Sequence, residues 1–165
     1  MMKTRSSVFG LAALSLAFIM CPGLGLSFQQ EITLRQITDE ADLIVVGRVT
    51  DVEARWNDPA LKTMIYTYTT LSVEEEIKGS SPEKEITIKV PGGVVDGIAG
   101  IMHGLAHFHT GERVVVFLLR DLHSSLFFVV EGAAGKYSIG IDNNVEFIGK
   151  SLSVFLDEIR QYISN

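Results

Sequence analysis

The stretch Met64-Ile65-Tyr66-Thr67-Tyr68-Thr69-Thr70-Leu71-Ser72-Val73-Glu74-Glu75-Glu76-Ile77 decides the reading of this chain. Successive side chains of a strand point to opposite faces, so Ile65, Thr67, Thr69, Leu71 and Val73 share one side. Tyr66, Tyr68, Thr70 and Ser72 share the other. This is a long, half-buried strand, and the slip of the alternation at Glu74-Glu75-Glu76 before Ile77 predicts a bulge near its end. A strand of this kind bends around two sides of a small barrel, and closure removes the sheet edges without any disulfide.

On the N-terminal side, Asn57-Asp58-Pro59 breaks the chain, and the β-branched run Leu43-Ile44-Val45-Val46 opens a strand that continues toward Trp56. Before it, Thr33 caps a short helix, Gln36 answers it three residues on, and Ile32 and Ile37 form an apolar staple. Leu34, Ile37 and Ala41 then share one helical face. On the C-terminal side, Lys78-Gly79-Ser80-Ser81-Pro82 is a turn, and Ile86, Ile88 and Val90 alternate with polar residues until Pro91-Gly92-Gly93 stops the strand. The Gly- and His-rich segment from Val94 to Gly111 has no clean period and reads as a long connection. Arg113 to Leu119 is a continuous apolar strand buried on both faces, and Leu126 to Val130 is similar. Lys136–Ile141 and Val145–Ile148 read as a hairpin around Asp142-Asn143-Asn144, whose asparagines suit positive φ. From Leu152 to Ile163, with Ser151 as cap, Leu152, Phe155, Ile159 and Tyr162 lie on one helical stripe that should cover the sheet. The fold class is therefore mainly β: a small antiparallel OB-type β-barrel with a short N-terminal helix and a C-terminal helix.

Residues 1–27 have the layout of a secretory signal: Lys3 and Arg5, an apolar core of 13 residues from Val8 to Met20, a Pro22-Gly23 break and the small residues Gly25 and Ser27. The expected address is secreted or periplasmic, with a single β-barrel domain over 28–165. Cleavage after Ser27 is favoured over a cut before Cys21 or retention as an anchor, since Ile19-Met20 is a poor lead-in to a lipidated cysteine. That cut leaves 12 basic against 20 acidic residues, a net charge of −8, and removes the only cysteine. Phosphate backbones need a basic surface, so nucleic acid is excluded as a partner. No stretch after the signal has the 18 or more apolar residues of a membrane span.

Four stretches in order resemble the netrin-like domain family, whose members include the tissue inhibitors of metalloproteinases. They are Ala41-Asp42-Leu43-Ile44-Val45-Val46-Gly47-Arg48-Val49; Tyr68 to Val73 running on to Ile77-Lys78-Gly79; Gly111-Glu112-Arg113 leading into Val114 to Leu119; and Phe127 to Gly132. They span residues 41–132. The resemblance implies a five-stranded Greek-key barrel of OB type and a non-enzymatic role. It does not bring the inhibitory site, which is a disulfide-bonded Cys-x-Cys terminus that binds a catalytic zinc. Cys21 is followed here by Pro22 and Gly23, and no second cysteine exists.

The remaining candidates for chemistry are few. His103, His107 and His109 lie within seven residues, and a metal-dependent protein or enzyme using the His103–His109 loop is the alternative reading; no carboxylate or cysteine nearby completes a four-ligand set. Glu74-Glu75-Glu76, Asp51 and Glu53 are expected to be a solvated strand end, because neighbouring strand residues diverge. Ser72, Ser124 and Ser125 lack a nucleophile elbow, and the glycines of 91–104 fit neither a Walker loop nor a Rossmann turn. Tyr66, Tyr68 and Trp56 are either a ligand face for glycan or protein or, as the blander reading, cross-strand tyrosines packed under a terminal helix. The residues thus nominate no catalytic, cofactor-binding or metal set. They point to a non-catalytic binding or interaction module with an unknown protein or glycan partner; an envelope-anchored structural protein is a further alternative.

Overall fold

The computed structural model describes residues 32–165, so the signal segment, including Cys21, lies outside the described residues. The chain enters through α1 (Leu34–Glu40), which Thr33 and Gln36 close with a reciprocal capping box. Two 14-residue strands follow, β1 (Leu43–Trp56) and β2 (Ile65–Lys78), paired antiparallel along their whole length. Between them the Asp58 carboxylate accepts from the Ala60 and Leu61 amides. The pairing skips Glu74 and Ile77, so the expected irregularity at the end of β2 is present. Next come β3 (Glu85–Pro91), a small hairpin of β4 (Gly93–Val95) and β5 (Ile98–Gly100), then β6 (Arg113–Arg120) and β7 (Leu126–Val129). After a 3-10 turn at Gly132–Gly135 the chain ends in β8 (Lys136–Ser138), β9 (Asn144–Val145), β10 (Lys150–Ser151) and α2 (Leu152–Ser164).

Hydrogen bonding runs β1-β2-β3-β7-β6, and β6 returns to β1, with Leu43 to Arg48 opposite Leu118 to Arg113. The five strands therefore form a closed ring. Four of the five ring pairings are antiparallel, as expected, and one, β3 with β7, is parallel, with Thr87 opposite Leu126 and Ile88 opposite Phe127. Directions cannot alternate around a ring with an odd number of strands, so one parallel pair is obligatory.

Two cores share β1 and β6. Inside the ring, Leu43, Val45, Leu71, Ile88, Val116 and Phe127 pack together. Outside it, Ile44, Val46, Val115 and Phe117 meet Ile37 of α1 and Phe155 and Ile159 of α2. Val114 to Leu118 are all fully buried because one face lines the ring and the other lies under the helices. Tyr137 bridges Phe117 and Phe155 at centroid distances of 5.7 and 4.8 Å. The expected 136–148 hairpin is cut short. Ile139 meets Val145 in a single bridge, after which the chain turns at Phe147 and Gly149, both at positive φ, and β9 pairs with β10.

Candidate functional site

The segment 94–111 is not the structureless connection its composition suggests. Asp96 and Gly97, at φ 52° and 78°, form the two-residue turn of the β4–β5 hairpin, with Val95 opposite Ile98. The Asp-Gly pair between apolar residues is a hairpin signal that was legible in the sequence. Gly92 and Gly93 make the close approach that seats this hairpin at the end of the ring. A Cβ on Gly93 would lie 2.6 Å from the Thr67 hydroxyl and 2.9 Å from Ala54.

Beyond β5 the chain crosses the open end of the ring. Ala106 and Phe108 are buried in the ring's core, so His107 and His109, alternating with them, are turned outward and exposed. The crossing is tied down at Gly104, whose carbonyl accepts from the Ala133 amide, and at Gly111 and Glu112, which exchange backbone bonds with Val49. Glu112 completes the anchoring, accepting from the Lys136 ammonium, the Ser138 hydroxyl and the His109 amide. Burial pushes the Glu112 carboxyl up, but these hydrogen bonds and the Lys136 charge outweigh it and hold the group below the ordinary glutamate value.

Hairpin and crossing enclose a cleft of about 460 Å³, lined among others by Thr67, Ala99, Ile101, Met102, His103 and His107. Its volume falls within the range of small-ligand and peptide pockets. Large apolar side chains stand exposed on the same two segments: Val94, Ile98, Met102 and above all Ile101, at 75 % exposure. Leu61 and Met64 are also exposed on the β1–β2 turn, which the Lys62–Asp96 pair, 4.0 Å apart, ties to the hairpin. The apolar rim was missed in the sequence because these residues read as ordinary loop.

The structure distributes the other candidates. His103 and His107 both line the cleft, whereas His109 sits 3.8 Å from Glu112 and His123 lies on the β6–β7 turn, its amide bonded to Asp121. Among the described residues no three His, Cys, Asp or Glu side chains gather as a metal set. The glutamate run is the exposed strand end expected of it, and each of the three glutamates finds a partner there. Glu74 holds Arg113 at 2.6 Å and Arg48 at 3.6 Å, Glu75 holds Arg160 of α2, and Glu76 caps the Ser81 amide. The three aromatics are split between faces. Trp56 follows Val52 and Ala54 on the ring side, and its indole N–H is buried without a partner, as is the Thr69 hydroxyl inside the ring. Tyr66 and Tyr68 lie on the outer face, not under a helix but under cations: Lys89 is 4.0 Å from the Tyr66 ring and Arg55 3.8 Å from that of Tyr68. Ser124 and Ser125 belong to the β6–β7 turn, where the Ser124 hydroxyl bonds Asp121.

Among the described residues no helix is long and apolar enough to cross a membrane. Compared with known proteins, the chain matches no family model and no curated protein sequence.

Proposed function

We propose that this protein is an exported, non-catalytic binding module, an OB-type barrel of netrin-like kind whose ligand is a protein or glycan surface seated at the cleft over the open end of the ring. The observation that carries the reading is the exposed apolar lining of that cleft by Val94, Ile101 and Met102. Exposed apolar side chains gathered at a cleft are a feature of interaction sites. The ring order with its single parallel pair agrees with an OB-type barrel, and the apolar run of residues 8–20 supports export.

The test is retention from the native extracytoplasmic fraction on immobilised protein, comparing the parent with an Ile101→Ser/Met102→Ser variant and with Phe147→Ser, which alters an exposed apolar residue away from the cleft. The expected result is a discrete component retained by the parent and by Phe147→Ser and lost by the rim variant, at unchanged melting temperature. Identical retention by all three would refute the assignment of the cleft.

A further inference from the structure

The backbone of the β4–β5 hairpin says what class of ligand the cleft takes. Val95 and Ile98 flank a two-residue turn and so form a hydrogen-bonded pair, which makes the next pair, Val94 and Ala99, a non-hydrogen-bonded one. The N–H and C=O of Ala99 therefore point away from β4, toward the free side of β5. Among the described residues they bond to nothing outside the hairpin, and Ala99 itself is exposed and lines the cleft. β5 is only three residues long, but from Gly97 to Met102 the chain has no charge and no proline, two of the devices by which proteins blunt an open strand edge. The β4–β5 hairpin is a separate two-stranded sheet, and the outer side of β5 pairs with no strand among the described residues.

We infer that the cleft binds an extended, uncharged peptide segment of a partner protein, which adds as a strand to the outer edge of β5. This rests on the reading of the cleft as the binding site. Ala99 supplies one donor and one acceptor to the incoming backbone, and the alternate side chains of the peptide lie against Ile101, Met102 and the cleft wall. The edge amides specify a strand as occupant, and the concavity beside them favours a peptide over the convex surface of a second copy. The hairpin's one charged residue, Asp96, is paired with Lys62 of the β1–β2 turn at 4.0 Å, and no Asp, Glu, Lys or Arg lines the cleft, so an uncharged segment suits it.

The decisive variant is Ala99→Pro, because proline removes an N–H that serves no bond within the hairpin and is tolerated on such an edge. A second variant, Ile101→Asp, places a charge beside the same edge without touching the backbone. The probe is a pool of end-capped heptapeptides randomised over uncharged residues and selected on the full chain, with affinities read by fluorescence anisotropy. Selected peptides should alternate β-branched residues, bind either variant at least about tenfold more weakly, and lose binding when their alternate amides are N-methylated. Failure to select any peptide, or equal binding by Ala99→Pro, overturns strand addition. So does a concentration-dependent dimer that Ala99→Pro dissolves, since a second copy would then occupy the edge. If the retained component of the previous experiment is lost on the rim variant but kept by Ala99→Pro, the cleft stands as the site and strand addition alone fails.

Discussion

Glu112→Gln is the perturbation that best tests how the crossing over the ring is held. Glu112 and Lys136 approach to 2.5 Å with side chains only 15 % and 12 % exposed, so the substitution leaves an ammonium largely out of water with no counter-charge. Breaking a buried pair of this kind costs about 3–5 kcal/mol. Glutamine keeps an oxygen for Ser138 and the His109 amide, and the Lys136 head retains some water, which reduces the expected loss to about 2–3 kcal/mol. For a domain of this size that is a fall in Tm of about 6–12 °C at pH 7. The pH dependence supplies an internal control. The folded carboxyl titrates below the ordinary glutamate value, so its contribution is fully present above that ordinary value and disappears as pH falls through the lower, folded one. The gap in Tm between parent and Glu112→Gln should therefore close in acid. Adding Lys136→Met to Glu112→Gln removes the stranded charge and should recover part of the loss, because most of the cost lies in the buried, unpaired ammonium. Thermal melts followed by circular dichroism from pH 7 to pH 3 decide the matter. A variant that melts within about 1 °C of the parent at pH 7, or a gap that persists in acid, would refute the account.

Two further outcomes are expected. Thr69→Val should raise stability by about 1 kcal/mol in urea unfolding, since it removes a fully buried hydroxyl without a partner and keeps the shape. Gly79→Ala should lower stability by about 2 kcal/mol or more in the same assay: Gly79 sits at φ 74°, and a Cβ there would fall 2.3 Å from the Asp42 carbonyl oxygen.

Much of the secondary structure was legible because local chemistry is decisive in it. The Thr33–Gln36 capping box, the Ser151 cap, the alternation of β2 and the Asp58 turn all use partners within a few residues in sequence. The Asn143 turn is at positive φ as its residue type suggests, but β9 leaves β8 early for β10, a choice between two neighbours that pattern alone cannot make. The histidine loop shows the same limit. Ala106 and Phe108 become core only because the ring has an open end to be filled, and that end exists only once β1 and β6 have paired.

By itself, the sequence determined the two α-helices and the five strands of the ring, the apolar face of each, the acidic balance, and the cysteine-poor composition that leaves packing to stabilise the domain. These follow from periodicity and residue chemistry, which act over a few residues. Only the tertiary structure decided the closure of the ring, its one parallel pair, the parting of Trp56 from Tyr66 and Tyr68, and the pairing of Glu112 with Lys136 across 24 residues. It also turned a glycine-rich connection into a hairpin with an open edge beside a cleft. Such features depend on which distant backbones meet, and that is settled by the fit of two apolar cores around shared strands.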